Sequence, residues 1–227
     1  MKFFKYSILF GFLFNFCLGQ GIVTGDATWQ NMQNASVLNS RFNSDEKVEG
    51  SPYISEQFKP SKIKGYDNKI FMSKFNAFSG DMEVDFGEKI IALSSDYDCE
   101  IEFTSPSKRY KTFKYKENGM SKNDFFVILN ESSKISLLKK EIIDFIEAKA
   151  AKSSYEKDKP AKFLRKSDEF YVYLNDEVIF LPKNKKKLIQ FFSQYSKKDV
   201  KSFIKKEKLN AKEEKDIKTI VEFLNKE

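Results

Sequence analysis

The sequence predicts an α+β fold in which an antiparallel β-meander, sandwich-like or barrel-like, is followed by C-terminal amphipathic helices. Two observations lead to this prediction. Residues 53–181 form short aromatic and β-branched runs separated by Gly, Asn, Asp and Pro. From residue 184 onward the apolar residues recur at helical spacing instead. The composition is that of a globular protein, because 41% of the 227 residues are hydrophobic and 32% are charged.

Eleven strands are predicted in the β region from runs with a period of two. They cover residues 70–78, 82–86, 89–93, 97–103, 110–115, 125–129, 135–138, 141–147, 163–165, 170–174 and 178–181. Several are separated by residues that tolerate positive φ, which predicts hairpin turns at Asp67-Asn68, Phe86-Gly87-Glu88 and Asn175-Asp176. Such short connections favour antiparallel neighbours.

Three helices are predicted in the last 44 residues. Leu188, Phe191, Phe192 and Tyr195 follow the i, i+3, i+4, i+7 spacing, and so do Ile217, Ile220, Val221 and Leu224. A shorter helix is predicted around Val200, Phe203 and Ile204. Capping-box spacing predicts helix starts at Ser196, with Asp199, and at Asn210, with Glu213.

The first 19 residues are predicted to be a signal peptide. Lys2 and Lys5 precede an apolar run at 8–14, which is far shorter than the about 20 residues that span a bilayer. Small residues before Gln20 predict cleavage after Gly19. The expected product is exported to the periplasm, the outer membrane or the exterior, and no transmembrane segment is predicted in it.

Four parts follow from these patterns. They are the signal peptide (1–19), a poorly ordered arm rich in Asn, Gln, Ser and Gly (20–50), the antiparallel β domain (51–183), and a basic helical segment packed on that domain (184–227). The helical segment holds 13 lysines and 7 acidic residues, whereas residues 20–183 are nearly neutral, with 25 basic and 26 acidic residues.

Several chemistries are excluded by residue type. The chain has no histidine, which removes imidazole general bases, Ser-His or Cys-His pairs and histidine metal ligands. Ser105 and Ser136 each begin an S-x-x-K match, but the S-D-N and K-T-G partner motifs of such enzymes are missing. Cys99, the one cysteine after the signal, is predicted to be a buried structural thiol. No catalytic residue, cofactor or metal is predicted.

Two runs of alternating acidic residues leave one alternative open. They consist of Asp81, Glu83 and Asp85, and of Asp96, Asp98, Glu100 and Glu102. The interpretation adopted here is the solvated face of an amphipathic sheet, with Lys111 and Lys114 opposite on neighbouring strands. Paired carboxylates on adjacent strands would instead suit Ca²⁺ or a carboxylate-based hydrolase.

The functional hypothesis is a non-enzymatic binding or structural module of the cell envelope, with an unknown envelope protein as its partner. The alternative is a peripheral binder of an anionic membrane or envelope polymer. Its candidate binding residues are Lys185, Lys186, Lys187, Lys197, Lys198, Lys205 and Lys206. Nucleic acid is not expected as a partner, because the segment offers lysine rather than the arginine that reads guanine.

Several motifs between residues 50 and 225 resemble a group of uncharacterised exported proteins of the Bacteroidota. They are Gly50-Ser51-Pro52-Tyr53, Phe58-Lys59-Pro60, Phe75-Asn76-Ala77-Phe78, Asp81-Met82-Glu83-Val84, Ser136-Leu137-Leu138-Lys139-Lys140, Glu147-Ala148-Lys149, Ser153-Ser154-Tyr155, Lys159-Pro160-Ala161-Lys162-Phe163 and Phe203-Ile204-Lys205-Lys206. Ala150 departs from the pattern, in which a proline is usual. The resemblance implies an exported setting and no activity.

Overall fold

The computed structural model describes residues 48–66, 69–87, 89–151, 155 and 157–226. The predicted signal peptide and nearly all of the predicted arm lie outside these residues. Twelve strands are formed in the described part of the chain: β1 (Lys59–Ile63), β2 (Phe71–Asn76), β3 (Asp81–Asp85), β4 (Ile90–Leu93), β5 (Glu100–Thr104), β6 (Ser107–Glu117), β7 (Met120–Asn130), β8 (Ser136–Lys140), β9 (Ile143–Ile146), β10 (Lys162–Arg165), β11 (Glu169–Leu174) and β12 (Glu177–Phe180). Three helices follow: α1 (Lys185–Tyr195), α2 (Val200–Lys206) and α3 (Glu214–Asn225). The predicted α+β class, a β-meander followed by helices, is confirmed.

Ten strands form one sheet in the order β12-β11-β8-β7-β6-β5-β1-β2-β3-β4, and β9 and β10 form a separate pair. Every pairing between these strands is antiparallel. The eleven-residue strands β6 and β7 lie near the middle of the order. They pair with each other from Tyr110↔Val127 to Glu117↔Met120, and their other ends pair with β5 and β8. They therefore belong to both halves of the sheet.

The sheet is strongly curled. Strands β6 and β12 are four positions apart in the order, yet their Cα atoms come within 8 Å of each other. In the other half, a connection of only six residues joins β4, at the sheet edge, to β5. Within it the Ser95 hydroxyl donates to the Asn123 carbonyl oxygen of β7, at 2.9 Å. Each half therefore bends back toward the two central strands.

Three apolar clusters fill the fold. One lies in the half formed by β1–β7 and includes Phe75, Met82, Ile101 and Phe125. A second lies inside the curl from β6 to β12 and contains Tyr115, Phe126, Leu138, Tyr171 and Val178. The third joins the opposite face of β8 and β11 to the helices. Since side chains alternate along a strand, neighbours such as Leu137 and Leu138 serve different clusters.

The helices bury the apolar stripes that the sequence predicts. In α1, Leu188 and Phe192 are buried, and in α3 all four stripe residues, Ile217, Ile220, Val221 and Leu224, are buried. Helix α2 contributes Val200 and Ile204. These side chains belong to one cluster with strands β8 and β11, so the helical segment is a layer on the sheet.

Both predicted capping boxes are wrong. Helix α1 ends at the C-cap Ser196, and Asp199 is itself the N-cap of α2, accepting from the Ser202 N–H at 2.9 Å. Helix α3 begins after Glu213, whose side chain makes no capping hydrogen bond. Asn210 lies before that helix and its N–H donates to Asp216 at 2.8 Å. The i, i+3 spacing of a capping box is present in each case, but the helix begins at a different residue.

Several predicted strand bounds also need correction, and one strand was missed. The run predicted at 97–103 is extended only from Glu100, and the run predicted at 141–147 only from Ile143. Strand β1 was not predicted. The two-residue turn at Asn175-Asp176 is present, with φ of 51° and 61° at its residues. Residues 67, 68 and 88 of the other predicted turns lie outside the described part.

Gly50 is required where the chain enters the fold. Its φ is +78°, and a Cβ atom there would lie 2.6 Å from the Phe163 carbonyl oxygen. The residue before it, Glu49, pairs with Lys162 in a parallel bridge. Glycine therefore lets the chain pass close to β10.

Candidate functional site

The seven lysines predicted as a binding surface all lie in the helical layer. Lys185, Lys186 and Lys187 form the first turn of α1 and are exposed. Lys197 is exposed between α1 and α2, and the exposed pair Lys205 and Lys206 ends α2. Sequence reasoning omitted six further exposed lysines of the same layer, which carry the same signal: Lys201, Lys208, Lys212, Lys215, Lys218 and Lys226.

Lys198 differs from the other predicted residues because it is half-buried and its ammonium group is engaged. Its Nζ donates to the carbonyl oxygens of Phe223, at 2.9 Å, and of Lys226. The same Nζ lies 5.2 Å from the centre of the Phe223 ring. Lys198 thus places a positive charge at the C-terminal end of α3, where the helix dipole is negative. The structure gives it a helix-capping role.

Most exposed lysines of the layer have no acidic partner within the part of the chain that the structure describes. Within the described residues, no carboxylate lies within 4 Å of the ammonium groups of Lys185, Lys186, Lys187, Lys197 or Lys205. Lys206 has only Glu207, at 4.0 Å. Several acidic residues of the segment are engaged elsewhere, since Asp199 and Asp216 bind backbone N–H groups and Glu214 pairs with Lys139 of β8 at 2.8 Å.

The first turn of α1 concentrates this positive charge. Asn184 caps the helix by accepting from the N–H groups of Lys186 and Lys187. No acidic residue occupies the turn, which begins with three lysines. Cations at a helix N-terminus oppose the dipole, and each such placement typically costs about 0.3–1 kcal/mol. Helix stability therefore does not account for three lysines at this end.

A second polar group, the Glu141 cluster, is centred on the buried carboxylate that directly follows β8. Its members are Lys108, Tyr110, Lys139, Glu141, Arg165 and Asp168. Glu141 is only 7% exposed and accepts from Lys108 at 2.7 Å and from the Tyr110 hydroxyl at 2.6 Å.

Burial opposes ionisation of Glu141 and is the largest single influence on its pKa. The charges of Lys108 and Lys139 and the hydrogen bonds from Lys108 and Tyr110 together outweigh it, so the pKa lies below its ordinary value. Burial, in turn, lowers the pKa of Lys108, because Glu141 only partly offsets the loss of water. Glu141 is therefore held as an ionised carboxylate with fixed partners. Sequence reasoning missed the cluster because Lys108 and Glu141 are 33 positions apart.

A third group joins Asp124, Lys140 and Tyr115. Lys140 Nζ lies 2.5 Å from Asp124 and 2.7 Å from the Tyr115 hydroxyl, which also donates to Asp124. Burial, followed by the hydrogen bond to Asp124, raises the Tyr115 pKa. Asp124 and Lys140 line a cavity of about 480 Å³, which is closed on other sides by Phe78, Phe145 and their neighbours.

The acidic runs are divided among separate roles. Glu83 accepts from the Tyr53 hydroxyl at 2.9 Å and pairs with Lys74 at 3.4 Å. Glu100 pairs with Lys64 and Arg109. Burial raises the Asp81 pKa, and the charges of neighbouring carboxylates add to the effect. No group of three or more acidic or cysteine side chains suited to a metal ion occurs in the part of the chain that the structure describes.

Cys99 is partly buried against the cluster that contains Phe75 and Met82. Burial, with smaller contributions from the charges of Asp98 and Glu100, raises the pKa of its thiol to about 12. A thiol with this pKa carries almost no nucleophilic thiolate near neutral pH. The side chain acts as a small apolar residue.

No protein-family model matches the chain, and searches of curated proteins and of solved structures find no match. Among the described residues, no helix has both the length and the apolar character needed to cross a membrane.

Proposed function

We propose that the chain is an exported, non-enzymatic module of the cell envelope that associates with an anionic surface through its helical layer. The contact residues are Lys185, Lys186, Lys187, Lys197, Lys205 and Lys206, whereas Lys198 caps α3. The observation that carries this proposal is a contrast within the described residues: these lysines, apart from Lys206, have no carboxylate within 4 Å, whereas Asp199, Glu214 and Asp216 are already engaged. Phosphate and carboxylate groups are the ligands that such a surface attracts.

The non-enzymatic part of the proposal is supported by the state of the titratable groups. Glu141 is an ionised, fully hydrogen-bonded carboxylate, and Cys99 is protonated. Neither is poised to exchange protons near neutral pH, which a general acid or base requires. The carboxylate-based hydrolase would require an acid with a raised pKa beside an ionised partner in a cleft. Glu141 is in the opposite state, and Asp81, whose pKa is raised, is not among the residues that line the cavity beside Asp124.

Vesicle binding tests the proposal. The chain from Gln20 onward is mixed with phosphatidylglycerol vesicles, and with phosphatidylcholine vesicles as the uncharged control, at low salt. Substitution of Lys185, Lys186 and Lys187 by Gln is expected to weaken binding about a hundredfold, since each lysine near an anionic surface contributes about 1 kcal/mol. Glutamine keeps the helix propensity of the first turn.

The matched control removes the same charge from the β domain. Lys114, Lys116 and Lys134 are exposed there, and their replacement by Gln changes the net charge equally. The proposal expects little effect on vesicle binding from this variant. Equal losses in both variants would show that net charge, and not the helical layer, governs binding. Binding to neither vesicle type would remove lipid as the anionic surface, and the same pair of variants would then be tested on lipopolysaccharide.

A second candidate function is supported by the cavity beside Asp124 and Lys140. Phenyl rings and carboxylates on its walls suit a hydroxyl-rich ligand such as an oligosaccharide, because carboxylates accept hydrogen bonds from hydroxyls. Such binding would persist at high salt. A rise in unfolding temperature with oligosaccharides in high salt would support it, and no rise across the tested set would leave the lysine surface as the sole candidate.

A further inference from the structure

A separate surface, at the ends of two neighbouring hairpins, exposes large apolar side chains. This tip patch consists of Tyr66, Ile70, Met72, Phe86 and Ile90, with exposed fractions of 36%, 58%, 41%, 38% and 56%. They belong to the β1–β2 connection, the β3–β4 connection and the first residues of the adjoining strands. Half of the ten large hydrophobic residues that are exposed in the described part of the chain lie here.

Contacts between the two hairpins hold the patch together. The Phe71 ring lies between them, 5.9 Å from the Tyr66 ring and 5.4 Å from the Phe86 ring. Asp85 pairs with Met72 on one side and with Ile90 on the other. Met72, Asp85 and Ile90 thus lie side by side on one face of the sheet, with a carboxylate between two apolar side chains. Tyr66 and Phe86 meet the Phe71 ring on the other face, because side chains alternate along a strand. The exposed apolar side chains therefore surround the ends of both hairpins.

The size of the patch argues against a stable protein interface. If each residue presents about 150–250 Å² when fully exposed, the range for aromatic side chains, five residues at these exposures offer about 340–570 Å². A specific protein–protein interface buries about 800 Å² on each partner. Hairpin ends also project from a sheet rather than enclose a ligand. A projecting apolar end of this size is suited to insertion among lipid chains, where no matching surface is needed.

Charge around the patch fits the boundary between lipid headgroups and chains. Lys62, Lys64, Lys69 and Lys89 are exposed beside it, and among the described residues Lys64 pairs with Glu100 at 3.2 Å. Lysine stems can lie along an apolar surface while their ammonium groups reach the headgroups. The same connections also contain Asp67, Asp85 and Glu88 in the sequence, so the net charge is close to zero. Apolar contact is therefore the main attraction at this surface.

We propose that the tip patch inserts into the apolar boundary of a lipid bilayer and anchors the protein there. The choice of a bilayer rests on the proposed function, in which an anionic envelope surface is the partner. The two surfaces contribute differently, because the lysine layer acts through charge and the tip patch through removal of apolar area from water.

A tryptophan placed in the patch reports insertion directly. The only natural tryptophan, Trp29, is replaced by Phe, and Phe86→Trp then gives a single-tryptophan chain from Gln20 onward. With phosphatidylglycerol vesicles the emission is expected to shift to the blue and to be quenched by lipids brominated on their chains. At high salt less protein is expected to bind, but the protein that is bound is expected to show the same shift. A second probe, Met120→Trp in the same background, tests another exposed hairpin residue and should show neither effect.

The second measurement is the vesicle affinity of variants that lack one apolar side chain of the tip patch. Ile70→Ser and Ile90→Ser are each expected to weaken vesicle binding about tenfold, because each removes a partly buried aliphatic group from the lipid contact. Met120→Ser, which is 62% exposed at the β6–β7 turn, is the matched control. Circular dichroism and thermal unfolding establish that all three variants remain folded, as their exposure predicts.

The outcomes separate the two proposals. Insertion at Phe86→Trp that persists when Lys185, Lys186 and Lys187 are replaced by Gln supports the tip patch even if the lysine layer fails its own test. An unshifted, unquenched emission on vesicles that do bind the protein overturns the tip patch and leaves the lysine layer intact. The remaining outcome is a blue shift that appears without vesicles as the protein concentration is raised, together with dimers in sedimentation. That result would assign the patch to self-association and overturn the proposal.

Discussion

At the scale of single residues, the most consequential group is Glu141, a buried carboxylate shared by Lys108 and Tyr110. Replacement by Gln leaves the Lys108 ammonium without its counter-ion in a half-buried position. We expect a loss of about 2–4 kcal/mol in the free energy of unfolding, since the remaining charge is left unpaired. Urea unfolding measures this loss.

The control for Glu141 is Glu131, which pairs with Arg109 at an exposed position. Glu131→Gln removes a surface ion pair and is expected to change the free energy of unfolding by less than about 1 kcal/mol. Similar effects in the two variants would contradict the structural importance assigned to burial at Glu141.

Low pH is expected to lower the free energy of unfolding through protonation of Glu141. The Glu141 pKa is lower in the folded protein than its ordinary value of 4.5, so the unfolded chain takes up this proton first as the pH falls. The stabilisation is therefore complete above pH 4.5 and is lost as the pH falls through the folded pKa. The stability difference between the natural chain and Glu141→Gln is expected to shrink from about pH 7 to about pH 3 in urea titrations. A constant difference over this range would contradict the assignment.

The alternation of residues along the chain predicted which apolar side chains face the core. It did not predict which polar side chains contact each other in the interior. Cys99 was predicted to be a buried structural thiol, and the structure places it partly buried against an apolar cluster. The partners of Glu141 come from strands that are remote in the sequence, and an alternating pattern carries no information on such pairs. Ser61 and Ser73 show the same limit, because two serines bond to each other at 2.7 Å where apolar residues would be expected.

At the scale of elements, strands and helices were predicted wherever apolar periodicity is present. Strand β1 escaped detection because its sequence, KPSKI, contains a proline, two lysines and the buried Ser61. It is extended because β2 and β5 pair with it on its two sides. Tertiary pairing, and not local preference, makes this strand. The predicted helix starts were wrong for a different reason. Residues that can cap a helix occur with the correct spacing at several nearby positions, and the spacing alone does not select among them.

Lys198 gives an element-scale prediction. Lys198→Met keeps much of the apolar stem but removes the donor to the carbonyl oxygens that end α3. We expect a loss of about 0.5–2 kcal/mol in the free energy of unfolding, from the lost hydrogen bonds and the favourable charge at the helix end. Lys197→Met, at an exposed neighbour without an ion pair among the described residues, should be close to neutral in the same thermal or urea unfolding assay. Equal losses would refute the capping role.

At the scale of the whole molecule, the helical layer covers the face of β8 and β11 that the curl leaves open. A chain that ends at Pro182 would expose Leu137, Phe170 and Val172 to water. We expect it to lose cooperative unfolding or to aggregate, and a hydrophobic dye should bind it much more than the full chain. A folded, monomeric product with native-like circular dichroism would contradict the account of one shared core. Substitutions, and not truncation, are therefore the appropriate test of the lysines.

Charge on the helical layer is proposed to draw the protein to an anionic surface. The most direct test is the affinity of the chain from Gln20 onward for phosphatidylglycerol vesicles, measured from about 0.05 M to about 0.5 M salt, where screening increases several-fold. The account predicts a steep fall in affinity with salt, a much shallower fall for the variant with Lys185, Lys186 and Lys187 replaced by Gln, and convergence of the two at high salt. An affinity that does not depend on salt, or the same dependence in both proteins, would contradict it.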